Sequence, residues 1–213
     1  MSLPRSVEIK CPKCGTVSQF NIWESINVDL DPNLKQSILN GDIFRFKCSK
    51  CGEVQTLIYG FLYHDMSKRL MIYFTDDRES AEKAIGEFKE TSAVFGGEDY
   101  GYTFRIVNDR NSLVEKIMVF DFGGNDKNLE ALKYFQLQEL QKEHPEANIS
   151  RVFFNVYDGD KGQLDFIDDQ WRVVAQMPVH IDELTKSFEM LDNDESYVID
   201  QEWIAGICEN KEG

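Results

Sequence analysis

Alternation of apolar and polar positions near the N-terminus predicts four short strands arranged as two pairs. Residues 7–10 and 17–21 flank one turn, and residues 43–47 and 54–59 flank a second. Between the pairs, Asp31-Pro32 reads as an N-cap followed by proline at the first helical position. Leu34 and Ile38 share a face at i, i+4, and Asn40-Gly41 supplies a stop, so a short helix is predicted over 32–39.

The pattern then changes. Leu70–Phe74 reads as a buried strand, and Asp76 or Asp77 caps a helix that carries Ala81, Ile85 and Phe88 on one face, before Gly96-Gly97 breaks the chain. A strand is predicted at 102–107. Ser112-x-x-Glu115 has the form of a capping box opening a helix with Leu113, Ile117 and Phe120, stopped by Gly123-Gly124. A longer helix over 127–143 places Leu129, Leu132, Phe135 and Leu140 within one face, with Pro145 beyond it. Residues 151–157 and 163–167 form a hairpin around 158–162, residues 171–177 a third strand, and 182–191 a helix, whereas 197–207 has no assignable period. Strands and helices are mixed without strict βα alternation. The predicted class is therefore α+β, with ribbon-like N-terminal hairpins and a helical insertion over 5–68, followed by a mixed α/β acidic domain over 69–213.

Charge supports that division. The 213 residues carry 23 Lys and Arg against 38 Asp and Glu, a net of −15, yet residues 1–68 hold 8 basic and 7 acidic side chains. The remainder is strongly acidic, which repels phosphate backbones and disfavours the chain as a general nucleic-acid binder. No apolar run approaches the roughly 18 residues that span a bilayer. The first ten residues also lack the apolar core of a signal peptide, so a cytoplasmic protein is expected.

The clearest chemistry lies in the cysteines. Cys11-Pro12-Lys13-Cys14-Gly15 and Cys48-Ser49-Lys50-Cys51-Gly52 are both C-x-x-C-G. The two-residue gap points both sulfurs into one tight turn, and the glycine that follows is free to take φ > 0. Two such turns face to face supply four thiolates, Cys11, Cys14, Cys48 and Cys51, at the distance and geometry of a tetrahedral Zn²⁺ site. Lys13 and Lys50 sit inside the turns and offset the negative charge. The 33 residues from Gly15 to Lys47 exceed the spacing of a compact ribbon, and the predicted helix accounts for the surplus. Without an export signal, paired disulfides do not fit a reducing compartment. A thioredoxin-type pair would need a C-x-x-C opening a helix, and neither motif is placed so. Tetrahedral S₄ accepts zinc or, as in rubredoxin, a single iron, and the ligand set favours zinc. Cys208 is unpaired and reads as a small core or surface residue.

The paired motifs, the Asp31-Pro32 to Gly41 element and Leu62-Tyr63-His64-Asp65 together resemble the CpXC domain family of bacteria and archaea. So do Leu113-Val114-Glu115-Lys116-Ile117, Gly124-Asn125-Asp126 and Leu129-Glu130-Ala131-Leu132-Lys133. The resemblance covers residues 5–140, with one departure, Ser49 where the family name suggests proline. It implies the metal site and no cellular role.

Other candidates have ordinary readings. Asp192-Asn193-Asp194-Glu195-Ser196 is like a calcium loop, but Tyr197 stands where glycine is required and Trp203 where a bidentate Glu should be; 158–162 fails likewise. Of three histidines, His144 reads as exposed at a helix end, His180 as local to a helix start, and His64 as a partly buried residue at a strand end, with orientation of its imidazole by Asp65 as the functional alternative. No hydrolase, NTPase, dinucleotide or metalloprotease motif occurs, and four closed thiolates leave a metal no open position. The expectation is a structural zinc site supporting a protein-interaction module with a protein partner. The alternatives are nucleic-acid contact through Arg5, Lys10, Lys13, Arg45, Lys47 and Lys50 with Phe20, Phe44 and Phe46, a rubredoxin-like iron centre, and an enzyme using His64 and Asp65.

Overall fold

A computed structural model describes residues 1–94, 101–157, 161–186, 191 and 194–209. The chain divides into two compact units, Met1–Leu113 and Val114–Gly213. The architecture is mixed α+β in both. The sequence-based division after residue 68 falls in the turn of a β-hairpin within the first unit.

The first unit begins with a long antiparallel pair, β1 (Leu3–Lys10) and β2 (Val17–Asn27), in register from Lys10↔Val17 back to Pro4↔Trp23, with a bulge before Leu3↔Ser25. Both strands outrun the expected segments, β1 starting at Leu3 and β2 running on to Asn27, where Ile26 and Asn27 are buried. Next come α1 (Pro32–Leu39), a 3-10 turn (Asp42–Phe44) and a short hairpin, β3 (Arg45–Lys47) with β4 (Val54–Thr56). The helix has its predicted bounds, with Pro32 in its first turn and Gly41 in the left-handed region at φ 81°. Asp31 stands at the N-cap, although its side chain makes no capping bond. Residues 43–44, which the alternation assigns to a strand, belong instead to the 3-10 turn, where Ile43 and Phe44 are buried.

The unit continues through β5 (Phe61–Asp65), β6 (Leu70–Phe74), α2 (Arg78–Val94) and β7 (Thr103–Val107). One five-stranded sheet results, in the order β1-β2-β5-β6-β7. The β2–β5 and β6–β7 pairs are parallel, so each needs a crossover connection. The second crossover holds α2, whose start Asp77 caps by accepting from the Ser80 N–H at 2.8 Å. The first holds α1 and the whole β3–β4 hairpin. This crossover, together with the length of β2, is the physical reason for the wide gap between the cysteine motifs. Phe44, Tyr59, Phe61 and Phe74 form an aromatic core at centroid separations of 5.5 to 6.0 Å. The predicted Gly96-Gly97 break lies outside the described residues.

The helix α3 (Arg110–Asp121) crosses the boundary between the units and leads to α4 (Asp126–Glu143). The α3 cap is Asp109, whose carboxylate accepts from the Asn111 N–H at 2.8 Å and the Ser112 N–H at 3.0 Å. The predicted Ser112–Glu115 capping box is thereby corrected: Ser112 is already inside the helix, and Glu115 is buried with another task. The second unit adds an antiparallel sheet of β8 (Ile149–Tyr157), β9 (Lys161–Asp168) and β10 (Val173–Val179), in the order β10-β9-β8. Val152, Phe154, Leu164, Phe166 and Val179 pack with Val119, Leu129 and Leu184 to form its core. Among the described residues, two further short helices follow, α5 (Ile181–Thr185) and α6 (Gln201–Glu209). The latter supplies the unassigned C-terminal element, with Ile204 buried beside Ala131 and Leu191, and Cys208 partly buried at its edge.

Two expectations fail here for local reasons. The apolar pattern opens a strand at Trp171, but that residue occupies a turn at φ 60°, and β10 begins at Val173. Asp168 holds that turn by accepting from the N–H groups of Gln170 and Arg172, both at 2.9 Å. Phe135, expected on the apolar face of α4, is 53% exposed. The buried side of α4 is instead largely charged, carrying Asp126, Glu130 and Lys133 together with Leu129 and Ala131.

Candidate metal centre

Each cysteine motif closes one hairpin in the same way. In the first, the Cys11 N–H donates to the Thr16 carbonyl at 2.9 Å and the Gly15 N–H to the Cys11 carbonyl at 2.9 Å. In the second, the Cys48 N–H donates to the Glu53 carbonyl at 2.8 Å and the Gly52 N–H to the Cys48 carbonyl at 3.0 Å. Gly15 and Gly52 sit at φ 71° and 72°. A Cβ at either would meet nothing within 4 Å, so backbone conformation rather than space selects glycine at both positions.

Folding brings the two knuckles together. One thiol sulfur from each of Cys11, Cys14, Cys48 and Cys51 lies within 4.8 Å of the others. Across the knuckles, Cys11 Sγ is 3.6 Å from Cys51 Sγ and Cys14 Sγ is 3.7 Å from Cys48 Sγ. Cys11 and Cys48 are buried, Cys14 is half-buried and Cys51 is the most exposed of the four. A small apolar floor supports them: Phe46 packs with Cys11 and Cys48, flanked by Ile9, Phe20 and Leu57. The Phe20 and Phe46 rings meet edge-on at 5.9 Å, joining β2 to β3.

Polar contacts lock the same junction. Lys13 Nζ lies 3.2 Å from the Glu53 carboxylate. The Ser18 and Ser49 hydroxyls are 3.2 Å apart, so the serine that departs from the family name bridges the two hairpins. The Thr16 hydroxyl lies 3.4 Å from Cys14 Sγ. Sequence reasoning misses these partners, Thr16, Ser18 and Glu53. Thr16 and Glu53 hold the same place in the two motifs, two residues after the second cysteine, and that repeat is the signal that could have found them.

The electrostatics reflect thiols crowded together, with their shifts running in opposite directions. The Thr16 hydroxyl and N–H pull the Cys14 thiol down to about 6. The Cys51 and Lys50 backbone N–H groups lower that of Cys48. The Glu53 N–H favours the Cys51 thiolate as well, but burial and the three neighbouring sulfurs push that thiol up to about 12. Glu53, through its hydrogen bond and charge, raises the Lys13 ammonium, and Cys51 and Cys11 add to the effect. Four sulfurs this close ionise together only around a cation.

The other candidates are placed apart from this centre or are structural. His64 and Asp65 are adjacent on β5 and so point to opposite faces. His64 Nε2 is instead 3.1 Å from the Tyr102 hydroxyl. Asp65 accepts from the Ser67 hydroxyl at 2.7 Å and the Lys68 N–H at 3.0 Å, and pairs with Lys35 at 3.2 Å. His64 is thus a half-buried strand residue, and the alternative in which Asp65 orients its imidazole is not formed. Phe44 and Phe46 are buried, while Arg5, Lys13 and Arg45 pair with Glu24, Glu53 and Asp42. His144 is exposed beside Glu146, and the His180 N–H donates to Glu183 at 2.8 Å at the start of α5. Asp194 accepts from the Ser196 N–H at 2.8 Å and from Trp203 Nε1 at 3.0 Å, serving as a turn residue. Residues 158–160 and 192–193 lie outside the described residues.

A second cluster lies within the second unit. Lys133 Nζ is 2.9 Å from Glu115 and 3.1 Å from Glu130, and Lys116 Nζ is 3.0 Å from Asp126 and 3.6 Å from Glu130. All five side chains are buried. Glu115 also accepts the Phe154 N–H at 2.6 Å, and Lys116 donates to the Ile199 carbonyl. These are the residues that carry the helical half of the sequence resemblance.

Fold and centre together define an α+β protein with a tetracysteine cluster built from two knuckled hairpins. The family model for the CpXC protein matches residues 9–133, and the chain belongs to that family. The matched span ends at Lys133 and so takes in the buried charge cluster as well as all four clustered cysteines. No curated protein and no solved structure matches the chain.

Proposed function

We propose that Cys11, Cys14, Cys48 and Cys51 bind one Zn²⁺, and that this zinc is structural, holding the two hairpins together in a cytoplasmic protein whose partner is another protein. The observation that carries the zinc reading is the pair of cross-knuckle sulfur separations, 3.6 and 3.7 Å. A tetrahedron of thiolates at the Zn–S distance of about 2.3 Å has edges of about 3.8 Å, close to these two separations. Four thiolates fill the coordination shell, so the metal would supply cross-linking rather than a reactive position. What the chain supplies is the scaffold: two N–H-rich turns, a phenylalanine floor and the Lys13–Glu53 clasp.

The partner reading rests on charge. The second unit has 9 basic and 22 acidic residues, and Lys116, Lys127 and Lys133 are buried, so few cations face solvent there. Such a surface suits a basic protein partner better than a phosphate backbone. No helix among the described residues is long and apolar enough to cross a membrane.

The test is elemental analysis of full-length protein purified without added metal. One zinc per chain is expected, falling well below stoichiometric in Cys11→Ser and Cys48→Ser and unchanged in Cys208→Ser. Iron at one per chain would replace zinc with a rubredoxin-like centre. Metal lost from Cys208→Ser but kept by Cys11→Ser would overturn the ligand assignment.

A further inference from the structure

We infer that the tetracysteine centre is also an oxidation site, in which hydroperoxide converts the metal link between the hairpins into two cross-knuckle disulfides, Cys11–Cys51 and Cys14–Cys48. The inference rests on the zinc reading above. Three features of the chain support it. The first is which sulfurs meet: the 3.6 and 3.7 Å approaches each join one knuckle to the other. Closing either to a disulfide needs a shortening of about 1.6 Å. The second is asymmetry of access, since each of these pairs joins a buried cysteine to a more exposed one: Cys11 to Cys51, and Cys48 to Cys14. An oxidant entering from solvent meets Cys51 or Cys14, while the buried partner waits in contact as the resolving thiol.

The third feature is what happens to the fold. The two hairpins are already fastened by the Lys13–Glu53 pair, the Ser18–Ser49 contact and the Phe20–Phe46 edge. Cross-knuckle disulfides keep that junction closed after the metal leaves. Disulfides within each C-x-x-C would leave it without a covalent or metal tie.

The chemistry balances as follows. The Cys51 thiolate attacks one peroxide oxygen, the O–O bond breaks and hydroxide leaves, giving a sulfenic acid at Cys51. The Cys11 thiolate attacks that sulfur, the S–O bond breaks and a second hydroxide leaves as the disulfide forms. Two protons convert the hydroxides to water. Cys14 and Cys48 repeat the sequence with a second peroxide. Two peroxides accept four electrons from four thiolates, four protons are consumed, and four waters and the freed dication are the other products. A dithiol reductant reverses both bonds.

The experiment titrates hydrogen peroxide into the zinc-loaded full chain. Released metal is followed with a chromogenic chelator, free thiols are counted, and disulfides are mapped by mass spectrometry of non-reduced digests. The expected result is one zinc released per two peroxides, a thiol count falling from five to one with Cys208 left reduced, and digest peptides linking Cys11 to Cys51 and Cys14 to Cys48. Dithiothreitol followed by zinc should restore the starting state. Linkage of Cys11 to Cys14 and Cys48 to Cys51 would overturn the inference, as would zinc retained at peroxide levels that oxidise Cys208. Protein that carries no zinc before the titration would instead sink the zinc reading itself, so the two failures are distinct.

Discussion

Replacing Lys133 with methionine removes the cation that two buried carboxylates share. Its ammonium lies 2.9 Å from Glu115 and 3.1 Å from Glu130, and all three side chains are at most 7% exposed. Burial desolvates Lys133, which by itself would lower its pKa, but the two carboxylates outweigh that and hold it above the usual lysine range. In the variant Glu115 keeps its burial, which already raises its pKa, and loses the Lys133 charge that opposed the rise. Breaking a buried pair from one side costs about 3–5 kcal/mol, a large part of a typical total of roughly 5–15 kcal/mol. With a urea m-value of about 2 kcal/mol/M, the midpoint of the second unit should fall by roughly 2 M.

The sign of the pH dependence follows from linkage. A carboxyl whose folded pKa is raised binds its proton more tightly folded than unfolded. Its stabilisation is complete below the unfolded pKa near 4.3 and is lost as pH rises through the folded value. The loss relative to wild type should therefore be smaller at pH 5 than at pH 8. Urea melts followed by far-ultraviolet circular dichroism at several pH values measure this. Adding Glu115→Gln, whose side-chain carbonyl still accepts the Phe154 N–H, should recover most of the loss at pH 8. A change below 1 kcal/mol with no dependence on pH would show that the cluster is not the buried charge network the geometry describes.

Other consequences are as direct. Gly15→Ala and Gly52→Ala should each cost about 1–2 kcal/mol, read as a lower melting temperature of the metal-loaded protein, because the left-handed φ near 71–72° and not a clash is the constraint. Asp65→Asn should destabilise the β5–β6 turn by about 1–3 kcal/mol at pH 7. Burial alone would raise the Asp65 pKa, but Ser67, the Lys68 N–H and Lys35 outweigh it and hold the carboxyl below its usual range. Its contribution is therefore present above about pH 4 and lost as pH falls through the lower folded value, so the two proteins should converge in acid melts. Trp171→Gly should be less destabilising than Trp171→Ala by about 1 kcal/mol. Both lose the Arg151 guanidinium 4.4 Å above the indole, but only glycine relieves φ 60°. Equal melting temperatures for the two would refute that reasoning.

Local chemistry makes the metal centre legible in the sequence. The C-x-x-C-G spacing needs only a tight turn and a residue free of Cβ strain, so the stretches 11–15 and 48–52 suffice to name all four cysteines. Helix α1 is equally plain, because Pro32 and Gly41 constrain backbone angles by themselves. Long-range pairing is not written locally. The 33 residues between the motifs read as a helical insertion in a ribbon. In the folded chain they include a strand that runs on to pair in parallel with β5, and that choice depends on a partner beginning at Phe61.

The buried charges show the same divide from the other side. Periodicity assigns α4 an apolar face containing Phe135, because isolated lysines and glutamates are expensive to bury and are read as solvated. Glu115, Lys116, Asp126, Glu130 and Lys133 are buried only because α3 and α4 bring opposite charges to about 3 Å of each other, with β8 supplying a backbone donor to Glu115. His64 and Asp65, neighbours in sequence, are separated by the alternation of a strand that pairs on both sides. Where a backbone angle or ligand spacing dictates the outcome, the residues alone determined it. Where the free energy of a side chain depends on what another element places beside it, only the tertiary structure decided.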